Sequence, residues 1–199
     1  MKTFLSEIKT SLLLTLVLAI LLCGAYPLAV WAGGQALFAD KANGSLVTDK
    51  DGTVRGSQLL AQSFTSDKYF QPRPSAAGTG YDATSSSGTN LGPTSQKLAD
   101  NIKANIAAYR NANSLAAAAA VPADAVTSSG SGLDPHISIA NADLQAPRVA
   151  SARAISVSQI RDLISAHTED RDLGVFGEPV VNVLLLNRAL DGISGPSAR

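Results

Sequence analysis

"LLLTLVLAILLCGAYPLAVW", residues Leu12–Trp31, decides the architecture of this chain. No Asp, Glu, Lys or Arg lies between Lys9 and Asp40. The run is roughly 20 residues, about what a helix needs to cross the hydrocarbon core of a bilayer. A cleavable signal peptide carries an apolar region of only about 7–15 residues, followed by a small-x-small cleavage site. This run is longer and ends in Tyr26, Pro27 and Trp31, whose rings suit a membrane interface. Leu22 stands before Cys23, where a bacterial lipoprotein signal needs a small residue. The segment therefore reads as an uncleaved transmembrane helix over 10–33, after a short N-terminus, 1–9. Lys2 and Lys9 precede it, offset by Glu7, and Asp40 and Lys41 follow. The positive-inside rule places 1–9 in the cytoplasm and the rest outside, by a small margin of charge.

The remainder is expected to form one extracytoplasmic domain over 34–193, with a disordered tail at 194–199. Past residue 40 lie roughly 160 residues, enough to bury a core. The 16 Lys and Arg balance 16 Asp and Glu, so the net basic surface that nucleic-acid binding needs is absent. The single cysteine lies in the apolar run, so no intramolecular disulfide is possible and the fold rests on packing.

Along this domain, "GSLVTDKDGTVRGSQ" (44–58) predicts two short strands around a turn at Asp49–Gly52, where Asp-Gly supplies a positive φ. Residues 65–95 carry prolines, glycines and serines without apolar periodicity and read as loop. Tyr69, Phe70, Tyr81 and Leu91 argue that this loop is ordered, since a disordered segment is poor in large apolar groups. Leu98, Ile102, Ile106 and Tyr109 recur at helical spacing and predict a helix from Ser95 to about Asn111. The alanine run at 116–120 reads as a weakly helical linker. Ser138 is expected to cap a helix reaching Arg153, interrupted or bent at Pro147. Ser156 and Gln159 form a capping box for another. The β-branched start of "PVVNVLLLNRALDG" (179–192) favours a strand near Val180–Leu186 with Asn187 capping a last helical turn; a single helix is the alternative. The fold class is α+β: a single N-terminal transmembrane helix followed by one α/β domain with long ordered loops.

"VTSSGSGLDPHIS" (126–138) gathers serines, an aspartate and a histidine, the residue types of a hydrolase triad built on Ser131, Asp134 and His136. Against it, no Gly-x-Ser-x-Gly elbow occurs, and Asp134 and His136 flank a proline, which is poor geometry for a carboxylate to orient an imidazole. Two distant histidines give no metal-ligand spacing, and no P-loop is present. The stretch reads better as a rigid loop, with Gly130 and Gly132 taking backbone angles closed to other residues. Arg73, between Pro72 and Pro74, offers a planar fork for a carboxylate or a row of carbonyls.

The order "ANGSLV…GSQLLAQSF…YFQPRPSA…SSGTNLGPTS…VPADAVTSSGSGLDPHIS…GEPVVNVLLLNRALD" after one span closely resembles the KdpC family, the small subunit of the bacterial Kdp potassium-transporting P-type ATPase. Departures are small: Ala61 and Ser87 stand where glycine is usual, and Val180 and Arg188 replace other common residues. The resemblance implies a non-catalytic accessory subunit of the inner membrane with no cofactor of its own, ATP and potassium being handled by the complex. Its partners would be a channel-like pore subunit, a P-type ATPase subunit and a very small single-span subunit. It also implies a catalytic chaperone that raises ATP affinity, with nucleotide contact proposed around "GSxLxxQ", here Gly56 to Gln62. An outside domain conflicts with direct contact, because cytoplasmic ATP would not reach Gln62. Partner contacts are expected in the loops, at Tyr69, Phe70, Arg73, Tyr81, Asp82, Asn90, Leu91, Gly92, Pro93, Asp134, Pro135 and His136.

Overall fold

The computed structural model describes residues 2–193, so Met1 and the expected tail at 194–199 lie outside the described residues. The apolar run is helical throughout. Helix α1 (Lys2–Ala19), a π-helical turn (Ile20–Ala25) and α2 (Tyr26–Leu37) succeed one another, followed by the single turn α3 (Ala39–Ala42). Pro27 sits at the start of α2, directly after the wider turn, where its missing N–H and its ring are accommodated. The helix Thr3–Leu37 has 35 residues, and none of its most apolar stretch is buried. At 1.5 Å per residue it is about 50 Å long, more than the ~30 Å hydrocarbon core. A core helix of a soluble protein would bury such a surface; this one is bare, as a membrane anchor is.

The chain divides into two units at Ser57 and Gln58. The first holds the long helix and the expected hairpin, so 34–57 groups with the helix. Its strands β1 (Leu46–Thr48) and β2 (Val54–Ser57) pair antiparallel with an irregularity after Val47. Gly52 takes φ 84° in the turn, as the Asp-Gly pair predicts.

The second unit has no regular strand or helix until α4 (Gln96–Ala112), then a 3-10 turn (Ala123–Ala125), β3 (His136–Ser138), α5 (Ile139–Arg153), α6 (Val157–Ala166), β4 (Thr168–Glu169), β5 (Val180–Asn182) and α7 (Val183–Gly192). The alanine run at 116–120 is not helical, with Pro122 following it. Strand β5 is central, antiparallel to both β3 and β4. In register, Ile137 meets Val181, and both are buried. Helix α5 turns Ala142, Ala146, Val149 and Ala150 to the core, a helical stripe of small residues that lets α6 approach with Ile160 and Ile164. Leu186 and Leu190 of α7 complete the cluster, together with Phe70 from the long loop.

The caps follow the sequence closely, with one exception. Ser95, Ser138 and Ser156 accept from the backbone N–H groups of Leu98, Asn141 and Gln159, and both halves of the capping box on α6 are made. Helix α5 runs unbroken through Pro147, which faces solvent where water can meet the freed carbonyl. The strand expected to reach Leu186 ends at Asn182, and Asn182, not Asn187, caps the last helix. Asn187 is instead a buried residue of α7 with a different task.

Candidate docking site

The segment from Asp67 to Gln71 leaves a turn, in which Tyr69 N donates to Ser66 O (3.1 Å), and pairs with no strand. Buried peptide groups need partners, and side chains supply them. The Asn187 amide accepts from Phe70 N (2.8 Å) and donates to Phe70 O (2.9 Å). The Gln145 amide does the same for the next residue, accepting from Gln71 N (2.8 Å) and donating to Gln71 O (3.1 Å). Each amide thus stands in for one residue of a neighbouring strand. Arg148 Nη1 donates to the carbonyls of Asp67 (2.8 Å) and Tyr69 (3.1 Å), and Arg153 Nε to that of Lys68 (2.7 Å). Five consecutive carbonyls are therefore held by side chains of α5 and α7. Arg153 also lies over the Tyr69 ring at 4.8 Å, and Tyr69 Oη donates to Asp191.

Behind this ladder runs a polar chain. Asp124 accepts from Ser138 N (2.8 Å), Ser138 Oγ (2.9 Å) and Asn141 Nδ2 (2.9 Å). Asn141 Oδ1 accepts from Gln145 Nε2 (2.9 Å) and Tyr109 Oη (2.7 Å). Burial, with the Asp124 carboxylate adding to it, raises the Tyr109 phenol, so it stays a donor. Burial pushes the Arg148 guanidinium down and the Tyr81 phenol up.

The loops close on one carboxylate. Asp134 Oδ2 accepts from Arg73 Nη1 (2.8 Å), while Oδ1 accepts from His136 N (3.0 Å) and lies 3.5 Å from His136 Nδ1. Burial alone would raise the Asp134 pKa. The hydrogen bonds from the His136 side chain and backbone, and then Arg73, outweigh it and hold the carboxyl at about 2. His136 moves the other way: its bond to Asp134 raises it against burial, helped by Glu169, whose Oε2 is 3.7 Å from Nε2. The Asp-Pro-His turn, expected to be poor geometry for a carboxylate to orient an imidazole, folds back on itself through the His136 N–H and brings the ring to 3.5 Å from the carboxylate. The triad is nevertheless not assembled. Ser131 Oγ accepts from Leu133 N (3.1 Å) and meets Ser129 Oγ (3.3 Å), and no hydrogen bond joins it to His136 among the described residues.

Glycine shapes the same loop at one position of the two expected. Gly132 has φ +68°, and a Cβ there would lie 2.6 Å from Ser87 O and 2.7 Å from Ala77 N. Gly130 has no positive φ and open space around its own Cβ position; its carbonyl instead leaves room only for glycine at Gly88 (2.9 Å).

The expected contact residues divide accordingly. Phe70 is fully buried and Pro135 is buried, so neither presents a side chain at a surface: the first fills the core and the second accepts from Val183 N (3.0 Å) through its carbonyl. Tyr69, Arg73, Tyr81, Asp82, Leu91, Asp134 and His136 are half-buried. Tyr81 Oη donates to Arg73 O (2.8 Å), and Asp82 binds Thr84, which lowers its pKa. Asn90, Gly92 and Pro93 are exposed. Gln62 is half-buried, outside any helix or strand, just after Ala61, whose N–H bonds to Leu133 O (2.9 Å). The sequence reading missed Asp124, Asn141, Gln145, Arg148, Arg153 and Asn187. Their only advance signal is the helical spacing of Asn141, Gln145 and Arg148 on one side of α5.

Thus the site is a set of loops locked by buried amides, guanidinia and the carboxylates of Asp124 and Asp134, and among the described residues no hydrogen bond aims Ser131 at His136. The family model described as "KdpC: K+-transporting ATPase, c chain" matches residues 8–192. The potassium-transporting ATPase KdpC subunit of Mycobacterium tuberculosis (strain ATCC 25618 / H37Rv) is 54% identical over 185 residues, which is 93% of this chain and 97% of that protein. The KdpC subunit of Caulobacter vibrioides (strain NA1000 / CB15N) is 50% identical over 194 residues, 98% of this chain and 97% of that one. That of Koribacter versatilis (strain Ellin345) is 49% identical over 184 residues, 92% and 93% of the two chains. A match that takes in the apolar helix, the hairpin, the side-chain-laddered loop and the last helix together leaves one conclusion, that this chain belongs to the KdpC family.

Proposed function

We propose that this chain is an accessory, non-catalytic subunit of a potassium-transporting ATPase complex, anchored by its single N-terminal helix. The observation that carries the reading is the family match over residues 8–192, which includes the bare apolar helix as well as the folded unit. Its partners are the channel-like pore subunit and the ATP-hydrolysing subunit, with a very small single-span subunit beside them. The chain sits in the bacterial inner membrane with 1–9 in the cytoplasm and the folded unit outside. ATP and potassium are handled by the complex, and this chain holds no cofactor. Any rise in ATP affinity passes through the assembled membrane subunits, since a ligand-linked effect needs contacts that differ between pump states. The locked loops support docking over chemistry: rigid surfaces lose little conformational entropy on association.

Affinity purification of the tagged full chain from native membranes tests this. Co-purification with the transport subunits is expected, and removal of residues 2–37 releases the folded unit and abolishes assembly. Full transport restored by the released unit at native expression levels would overturn the reading. Protease digestion of right-side-out vesicles tests orientation: cleavage within 58–193 is expected, and complete protection would refute an outside domain.

A further inference from the structure

Few large apolar side chains among the described residues 58–193 reach solvent, and most of them cluster. Among the described residues of that unit only Leu59, Leu173, Val175 and Phe176 are exposed, the last three at 90%, 66% and 63%. All three lie on the turn that joins β4 to β5, where residues 169–178 are exposed without interruption. This turn is built, not slack. Asp172 and Phe176 exchange backbone bonds at 2.9 Å each way, Gly174 N donates to Arg171 O (3.0 Å), and Val175 N to Asp172 O (3.2 Å). Arg171 and Glu178 pair across its neck at 2.6 Å. Leu173 is held at φ 53°, a conformation costly for a branched side chain, and that placement turns it outward at the tip. A strained, cross-tied turn that spends three large apolar groups on water marks an interaction surface.

Charge selects the occupant. Glu169, Asp170, Asp172 and Glu178 surround the tip, with Arg171 the one basic residue in 169–178. A tip that enters a bilayer surface is flanked by Lys and Arg, which meet anionic headgroups; an acidic collar is repelled there. The same collar repels its own copy in a symmetric pair. We propose that this turn is a plug seated in an apolar recess with a basic rim on a membrane subunit of the same complex. The assignment rests on the accessory-subunit reading and names the element that makes the contact.

The test uses the assembled complex in mild detergent, with p-benzoylphenylalanine in place of Val175. Illumination is expected to join this chain to a membrane subunit of the complex, at a peptide where apolar residues are bordered by Lys or Arg. A cross-link to lipid, to a second copy, or to nothing in a complex that still co-purifies overturns the plug and leaves the accessory reading intact. A native chain that fails to co-purify with the transport subunits overturns both. As a second arm, Leu173→Asn with Phe176→Ser is expected to lower recovery of partner subunits about tenfold, the loss typical of a central anchor. Asn tolerates the φ of position 173 and both side chains already face water, so the free variant keeps the wild-type melting curve. Ala117→Asp, on an exposed alanine elsewhere in the unit, is expected to leave recovery unchanged. Equal recovery for all three proteins overturns the plug.

Discussion

Asn187→Leu removes the amide that grips both polar groups of Phe70 without changing the side-chain volume much. Asn187 is 1% exposed and Phe70 is 0% exposed, so water does not replace the two bonds of 2.8 and 2.9 Å. A buried N–H and a buried C=O left unpaired cost about 1–3 kcal/mol each. The added apolar surface of Leu returns about 1 kcal/mol of that. The net expected loss is about 1–5 kcal/mol, a large share of the ~5–15 kcal/mol that holds a domain together. With a urea slope of about 2 kcal/mol per molar, the midpoint falls by roughly 0.5–2.5 M. Near-UV circular dichroism of the full chain in detergent micelles follows the tyrosines, and Tyr69 is next to the perturbed residue. Hydrogen exchange adds a local readout, since the amides of Phe70 and Gln71 lose protection together as the loop lifts. Because Gln145 grips the adjacent residue, Gln145→Leu in the Asn187→Leu background costs less than alone, with a coupling of about 0.5–3 kcal/mol. An unchanged midpoint together with unchanged exchange at 70 and 71 would refute the idea that side chains substitute for a strand here.

Other outcomes follow from the same loops. Gly132→Ala is expected to lose about 2–4 kcal/mol, because its Cβ meets two backbone atoms at a left-handed position, while Gly130→Ala stays within about 0.5 kcal/mol; thermal melts separate them. Asp134 has a folded pKa of about 2 against an ordinary 3.8, so its contribution is complete above the ordinary value and fades as pH falls from there toward 2. With its side chain 29% exposed, that contribution is about 1 kcal/mol, and Asp134→Asn should flatten the urea midpoint between those values. His136 has the opposite sign: its raised pKa favours the fold below its ordinary 6.5, and the benefit fades as pH rises through the folded value, which titration of the ring by NMR reads directly. Ser138→Ala removes both a helix cap and an Asp124 partner and is expected to cost about 1–2 kcal/mol, more than Ser156→Ala on the exposed start of α6, as paired urea titrations report.

Local signals were sufficient wherever a structural feature closes within a few residues. The apolar run, the Asp-Gly turn, the capping serines and the amphipathic spacing of α4 each depend on neighbours in the chain, and each was legible in the residues themselves. Family membership was legible too, because motifs such as "YFQPRPSA" and "GEPVVNVLLLNRALD" are long and ordered. The errors have one origin. Asn187 read as a cap because Asn favours helix starts, yet its partner is 117 positions away at Phe70. Phe70 was expected among the partner contacts of an ordered loop, yet it is buried in the core with Leu186 and Leu190 of α7, its backbone held by Asn187. Asp134 and His136 read as poor geometry for an oriented imidazole, because their spacing in the chain does not reveal that the turn closes on the histidine's own N–H.

What the chain dictated alone was the existence of a bare membrane-length helix, a disulfide-free folded unit and most helix ends. Tertiary structure decided which polar residues are buried and what they hold, since a side-chain amide becomes a strand substitute only when packing delivers an unpaired backbone to it. It also decided which apolar residues stay outside, since Val175 and Phe176 differ from Val181 and Leu186 in position and not in kind.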